Sequence, residues 1–216
     1  MQIKKMTEND ESEQRKYGMD LKIIIVGDLS TGKTSILNRF INGTFEQNSR
    51  ATIAPEFSYK IIKSKDVIFR IQFWDIPGQN RIPELTGIFC RDTQGIIFVS
   101  SVKDKNTRDH LKNWEDSLKE FSDIKDIPKI LIENKCDLLG DEDHYNDDIE
   151  SLKKFSEERN CLGCFRTSAL NGYNIKKAID FIINESIKLV EEDEVQYSKV
   201  IKMNESMNKT EKNRCC

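Results

Sequence analysis

The chain has 216 residues, 37 % of them hydrophobic and 33 % charged, and a formal net charge of −3 at pH 7. That is enough apolar material for one core in a domain of ordinary size, and the slight acidic balance argues against a general nucleic-acid binder, which shows a basic excess. No run approaches the ~18 apolar residues that span a bilayer, and the opening stretch lacks the apolar centre of a secretory signal, so an intracellular chain with reduced thiols is expected.

Residues 1–20 are charged and nearly devoid of aliphatic side chains, which predicts a disordered N-terminal extension. The character changes at Leu21. Leu21–Val26 is a short β-branched run ending at Gly27, the pattern of a buried central strand. After a loop from Asp28 to Gly32, the spacing of Ile36, Leu37, Phe40 and Ile41 is helical. Alternating segments at Glu56–Lys63 and Val67–Asp75, separated by Ser64-Lys65-Asp66, read as a hairpin. Gly95–Ser101 is a buried strand, Thr107–Phe121 an amphipathic helix carrying Leu111, Trp114 and Leu118, and Lys129–Asn134 another strand. A helix over Ile149–Glu158 and a short strand over Gly163–Thr167 follow. The last helix starts after Asn174, read as its N-cap, with Ile175, Ala178, Ile179, Ile182, Ile183 and Ile187 facing the core.

This alternation predicts an α/β domain over residues 21–190: a six-stranded, mostly parallel sheet with one antiparallel strand and helices on both faces. Residues 191–216 hold six acidic and five basic residues without periodicity, and are expected to be a flexible tail. Of the six cysteines, Cys90, Cys136, Cys161 and Cys164 fall inside the domain, while Cys215 and Cys216 are the last two residues. The spacing Cys161-Leu-Gly-Cys164 invites a redox or zinc reading, but no second such pair or histidine pair accompanies it. Taken alone, the terminal pair fits sequence drift at a free end as well as any function.

Gly27-Asp28-Leu29-Ser30-Thr31-Gly32-Lys33-Thr34 fits G-x-x-x-x-G-K-[ST] between a predicted strand and a predicted helix, the context that motif requires. Backbone N–H groups and the helix N-terminus attract phosphate oxygens, Lys33 adds a full positive charge, and the Thr34 hydroxyl suits Mg2+. The loop specifies a nucleoside triphosphate but not the base. Asn134-Lys135-Cys136-Asp137 emerges at the carboxyl edge of a strand, where ligands of such sheets bind. A carboxylate at Asp137 accepts from guanine's N1–H and exocyclic amine together, a donor pair adenine lacks. In Trp74-Asp75-Ile76-Pro77-Gly78-Gln79, Asp75 is placed to hold a metal-bound water, and Gly78 lets its N–H approach a γ-phosphate. Gln79 both donates and accepts, which suits orienting an attacking water. Thr52, ahead of the hairpin, offers a second hydroxyl to Mg2+.

In this order the four pieces resemble the Ras superfamily of small GTPases. Arg50-Ala51-Thr52-Ile53 with Phe57, the Trp74-Asp75 pair, Thr167-Ser168-Ala169 and the terminal Cys215-Cys216 narrow the resemblance to the Rab family. It covers roughly residues 20–190 and the last two. The wording around RATI, WDI-GQ and CLGCF-TSA is most similar to Rabs of lysosome-related organelles. The resemblance implies a P-loop NTPase G domain that binds GTP or GDP with Mg2+ and hydrolyses GTP slowly. Its nucleotide-binding set is Leu29, Ser30, Thr31, Gly32, Lys33, Thr34, Ser35, Phe45, Thr52, Gly78, Asn134, Lys135, Asp137, Ser168, Ala169 and Leu170. Within it, Phe45 stacks on guanine and the Ser168-Ala169 backbone meets O6. Metal ligation falls to Thr34, Thr52 and Asp75, and catalysis to Lys33, Gly78 and Gln79. Phe57, Trp74 and Phe89 form the aromatic surface that effectors read, although plain core packing is the other reading of those rings. Cys215 and Cys216 carry geranylgeranyl groups that attach the protein to a membrane.

By the same resemblance the expected partners are an exchange factor, a GTPase-activating protein, effectors and the prenylation escort machinery, with no nucleic acid. The protein is expected to be a monomer on the cytoplasmic face of intracellular membranes, endosomal or of a lysosome-related organelle, with a cytosolic pool. The chain departs from the family pattern at Leu29 and Ser30, which replace small residues, and at Ser49, which replaces an aromatic. It departs again at Ala54-Pro55, at Pro77 in place of Ala, and at Leu170 in place of Lys. Bulk at Leu29 and the missing N–H of Pro77 keep a second reading open, a GTP-binding membrane scaffold with negligible hydrolysis. A P-loop ATPase or kinase is disfavoured by Asn134-Lys135-Cys136-Asp137.

Overall fold

The computed structural model describes residues 18–47, 49–65, 67–79, 89–120, 123–146 and 148–192. The expected N-terminal extension falls almost entirely outside them, as do most of the tail and both Cys215 and Cys216. Six strands form one sheet: β1 (Met19–Val26), β2 (Glu56–Ser64), β3 (Val67–Asp75), β4 (Gly95–Ser101), β5 (Lys129–Asn134) and β6 (Gly163–Thr167), in the order β2-β3-β1-β4-β5-β6. The β2–β3 pair is antiparallel and every other pair parallel, as the alternation predicts. The hairpin closes through a two-residue turn in which Ser64 pairs with Val67 and Lys65 takes φ 53, the sign that primed turns require.

Period-two alternation sorts each strand's side chains onto two faces, and helices cover both. Leu21, Ile23 and Ile25 join Phe69, Ile71, Phe73, Ile97, Val99, Ile130 and Ile132 on one face. Against them pack Ile36 and Leu37 of α1 (Lys33–Asn42), together with Ile175, Ala178, Ile179, Ile182, Ile183 and Ile187 of α4 (residues 175–192). The intervening residues Ile24, Val26, Ile96, Phe98 and Leu131 face the other way. They meet Leu111, Trp114 and Leu118 of α2 (Leu111–Lys119) and Leu152 of α3 (Ile149–Glu157). Among the described residues no helix is long and apolar enough to cross a membrane.

Two expectations need correction. The helix expected over Thr107–Phe121 is a short turn, Asn106–Asp109, followed by α2, with His110 between. The His110 carbonyl accepts from both Asn113 (2.9 Å) and Trp114 (3.3 Å), the shared bonding of a locally tightened turn. Asn174 holds the N-cap position, its carbonyl accepting from Ala178 N at 3.0 Å, but at φ 54 its side-chain amide donates instead to the Arg166 carbonyl at 3.1 Å. It ties the helix start to β6.

β1 lies between β3, reached through α1 and the hairpin, and β4, reached from β3. The chain therefore departs to opposite sides of β1, the topological switch where sheets of this kind bind ligands.

Candidate functional site

The phosphate-type loop leaves β1 at Gly27, whose φ of 144 no other residue adopts readily; a Cβ there would stand 2.1 Å from the Val99 carbonyl oxygen. Ser30 (φ 63) and Gly32 (φ 93) are left-handed on either side of Thr31. Alternation of that kind turns successive N–H groups into one concavity. Ser30 adopts this conformation with a Cβ, at a cost of about 1 kcal/mol. Thr31 is fully buried and its Oγ1 donates back to the Asp28 carbonyl at 2.9 Å, closing the loop on itself. Lys33 opens α1, and its Nζ donates to the carbonyls of Gly27 (2.8 Å) and Asp28 (3.0 Å). Burial pushes the Lys33 ammonium down to about 8, with Asp75 and then Asp28 pulling the other way.

Three oxygen-bearing side chains from separate elements converge beside it. Thr34, on the first turn of α1, donates its hydroxyl proton to Asp75 Oδ2 at the end of β3. Having one proton, Thr34 Oγ1 must accept from Thr52 Oγ1, 2.8 Å away. Asp75 is buried, and its second oxygen, Oδ1, has no hydrogen-bond partner among the described residues. Desolvation raises the Asp75 pKa, opposed by the Thr34 hydrogen bond and the Lys33 charge. An all-oxygen set with an orphaned buried carboxylate oxygen fits a small hard cation such as Mg2+.

Past β3, Ile76 N donates to the Ile25 carbonyl at 3.2 Å, so the segment after Asp75 still runs alongside β1. Gly78 then meets the phosphate-type loop backbone to backbone: a Cβ on it would lie 2.3 Å from Leu29 N and 2.6 Å from Leu29 Cα. Leu29 is half-exposed at the tip of the loop, and Gln79 is exposed beside Gly78. Pro77 sits between the strand end and Gly78, where its missing N–H leaves one donor fewer next to Gln79. Ser35, on α1, is half-buried.

The base-side residues lie at the other end of the loop. Asn134 is buried and bonded to protein on both ends: Nδ2 donates to Thr31 O (3.0 Å), and Oδ1 accepts from Thr167 Oγ1 (3.1 Å) and Ala169 N (3.2 Å). Its geometry makes it a tie between loops. Lys135, left-handed at φ 67, reaches back to the Ser30 carbonyl at 2.6 Å. Burial lowers the Lys135 pKa, with Lys103 acting in the same direction. Asp137 accepts a short hydrogen bond from the Ser168 hydroxyl, so the two expected base contacts sit side by side. Leu170 is half-exposed on the same loop, and Phe45 is half-buried against the α1 side of the core.

Phe57, Trp74 and Phe89 also come together. Trp74 stands 5.5 Å from Phe57 and 5.7 Å from Phe89 by ring centroids, and Phe57 is 50 % exposed. Trp74 and Phe89 back onto the α2-side core, while Phe57 opens the group to solvent. The three rings thus form one cluster, packed on the core at one end and open to solvent at Phe57. Cys161 and Cys164 are half-buried free thiols, pushed up by burial, Cys161 to about 11. A thiol protonated at neutral pH is a poor nucleophile, and a metal must displace its proton to bind.

Several residues that organise this site were not legible as such. Both carboxylate oxygens of Asp28 are occupied: Trp114 Nε1 of α2 donates to one at 3.0 Å, and Nδ1 of His110, just ahead of α2, lies 2.6 Å from the other. Trp114 reads from sequence only as a core position, although its indole N–H always needs an acceptor. The Asp28 hydrogen bond raises the His110 pKa above its ordinary 6.5, with smaller contributions from the Asp28, Asp104 and Asp109 charges. A raised folded-state pKa means the contact contributes fully below pH 6.5 and is lost as pH rises through the higher value. An NMR titration of the His110 ring, assigned with a His144→Gln variant, is expected to show that upward shift, and Asp28→Asn to remove most of it. An unshifted His110 in the wild-type protein would break the assigned contact.

Comparison with known families matches residues 22–188 to the Ras family. The Ras-related protein Rab-32A of Dictyostelium discoideum is 33 % identical over 172 residues, covering 77 % of this chain and 78 % of that protein. Rab-32 of Homo sapiens is 28 % identical over 202 residues, 90 % and 88 % of the two chains. Rab7 of Pisum sativum is 33 % identical over 184 residues, 81 % and 86 % of the two chains.

Proposed function

The chain belongs to the Ras family, and on that premise we propose that it is a Rab-like GTP/GDP switch of intracellular membrane traffic that hydrolyses GTP slowly by itself. The observation that carries the reading is the meeting of Thr52 and Gly78 at the phosphate-type loop, one at the Thr34–Asp75 oxygens and the other against Leu29. Each belongs to a segment that can be held by a γ-phosphate and released without it. Loss of those two holds is how such switches change shape.

Thr34, Thr52 and Asp75 would hold Mg2+, which when bound would neutralise charge on the phosphate oxygens. Lys33 and the N–H groups around Ser30 to Thr34 bind and orient the phosphates. Gln79 orients a water in line with the bond between the γ-phosphorus and its bridging oxygen. The water oxygen bonds to phosphorus, the bridging oxygen leaves with GDP, and the water's proton ends on inorganic phosphate. We assign further transition-state charge to an arginine supplied by an activating protein. Such a partner supplies roughly 10^3–10^5-fold. Exchange factors and effectors complete the cycle, the latter reading Phe57, Trp74 and Phe89.

Cys215 and Cys216, outside the described residues, are the proposed geranylgeranyl sites. Two lipid chains hold a protein durably where one holds it marginally, and the tail's balanced charge adds little electrostatic attraction. An escort for the prenylated form, a cytosolic pool and an endosomal or lysosome-related membrane belong to the same reading. Base specificity for guanine rests on Asp137, with Phe45 on the ring face.

Single-turnover GTP hydrolysis in Mg2+, compared with Gln79→Leu, tests the switch. Slow turnover is expected, falling a further ~10- to 100-fold in the variant, the scale of misplacing a reacting group. Tight GTP binding with no turnover in either protein would instead establish the membrane scaffold, the reading that Leu29 at the loop tip and Pro77 beside Gln79 favour. Leu29→Gly and Pro77→Ala would then be expected to restore turnover.

A further inference from the structure

We propose that Arg39 is a positioning residue for the base: it clamps the loop at residues 168–172 onto α1 and thereby turns that loop's donor side, the Leu170 N–H above all, toward the purine's 6-oxo edge. The inference rests on the guanine-binding reading above and adds a residue to it.

Arg39 lies near the end of α1, and all three of its guanidinium nitrogens are used. Nη1 donates to the Gly43 carbonyl at the helix end (2.7 Å), Nε to the Ala169 carbonyl (2.9 Å) and Nη2 to the Leu170 carbonyl (2.6 Å). The first bond fixes the planar fork on its own helix; the other two reach 130 and 131 residues along the chain. A planar fork holds its donors in fixed directions on separate nitrogens, so it orients the two carbonyls as well as binding them, whereas an ammonium is a single rotating donor atom.

The consequence follows from peptide planarity. No described peptide bond is cis, so each carbonyl points opposite to the N–H of the next residue. The Ser168 carbonyl accepts from Gly172 N at 2.8 Å, and those of Ala169 and Leu170 face Arg39. The N–H groups of Ala169, Leu170 and Asn171 are thereby turned the other way, toward Asn134 and Ser168. Two observed bonds agree: Ala169 N donates to Asn134 Oδ1 at 3.2 Å, and Asn171 N to Ser168 Oγ at 3.3 Å. Ser168 is in turn bonded to Asp137. Arg39 holds the carbonyl side of the loop so that its donor side faces the base residues.

α1 also joins the two halves of the site. Lys33 and Arg39 are six residues apart, about 9 Å along the helix, so one rigid element carries both the phosphate contact and the base-loop clamp. Gly172, at φ 87, turns the loop over the Arg39 stem, where a Cβ would meet Arg39 Cδ at 3.8 Å.

The test uses the full chain and competition of GDP and 2-aminopurine riboside diphosphate, which lacks the 6-oxo group, against a fluorescent GDP. Arg39→Ala is expected to bind GDP about tenfold more weakly or more, and to narrow the GDP-over-analogue preference by a similar factor. Arg39→Lys keeps the stem and charge without the fork, so it should show a smaller narrowing, and it carries the test if the alanine variant fails to fold. A proportional weakening of both nucleotides with an unchanged preference would reduce Arg39 to a structural contact and overturn the proposal, as would wild-type preference in both variants. A wild-type protein with no preference for GDP over the analogue would instead sink the guanine-binding reading itself.

Discussion

Asp137→Asn is expected to weaken guanine nucleotides by roughly 10^3–10^5-fold, the scale on which a site built for a specific hydrogen-bond pair rejects a mismatch. The carboxylate is placed on the short turn Cys136–Leu139 directly after β5, and the Ser168 hydroxyl donates to its Oδ1. A carboxylate offers only acceptors, so on the proposed reading it would pair with the two adjacent donors of guanine, N1–H and the 2-amino group. An amide keeps one acceptor and replaces the other with a donor, which then faces the 2-amino group unpaired. Xanthine presents N1–H beside a 2-oxo acceptor and should match the variant. Competition among GDP, XDP and ADP against a fluorescent nucleotide checks the exchange. The Asn side chain still accepts from Ser168, so the loop itself is retained and the effect belongs to the base. Undiminished GDP binding by the variant would place base recognition elsewhere.

Thr34→Ala is expected to remove most of the dependence of nucleotide release on Mg2+. In the wild-type protein, chelating the metal should accelerate GDP release by ~10^2-fold or more, since a bound metal stabilises phosphate charge by several kcal/mol and each 1.4 kcal/mol is a factor of ten. Thr34 stands between the other two oxygen donors, giving its proton to Asp75 and accepting from Thr52. Its loss breaks the set at the centre and also removes a bond that holds the Asp75 pKa down, so burial raises that carboxyl further. Thr34→Ser keeps the hydroxyl and should keep the metal effect. Release that still responds fully to chelation in Thr34→Ala would mean that the metal sits on other oxygens.

The residues that sequence alone located are those whose roles depend on near neighbours. The strands at Gly95–Ser101, Lys129–Asn134 and Gly163–Thr167 and the hairpin at Glu56–Asp75 were readable because side-chain alternation has a period of two and β-branched runs are short. The inward stripe of Ile175, Ala178, Ile179, Ile182, Ile183 and Ile187 was readable because a helix repeats every 3.6 residues. The loop from Gly27 to Thr34 was readable because its conformation is set by eight consecutive residues. The contact of the His110 ring with Asp28 and the tie made by Asn174 were not, since each needs a distant partner: Asp28 for the ring, the Arg166 carbonyl for the amide.

The sheet, its helical covering and the four motif segments at its carboxyl edge were legible from sequence. Tertiary structure alone decided how those segments are aimed. Arg39 on Ala169 and Leu170, Trp114 and His110 on Asp28, and Asn134 between Thr31 and Ala169 are bonds between residues tens to more than a hundred positions apart. No periodicity marks such pairs, because hydrogen-bond direction depends on where the sheet brings two backbones together. Local pattern is written by covalent neighbours, and orientation by the packing that places strangers side by side.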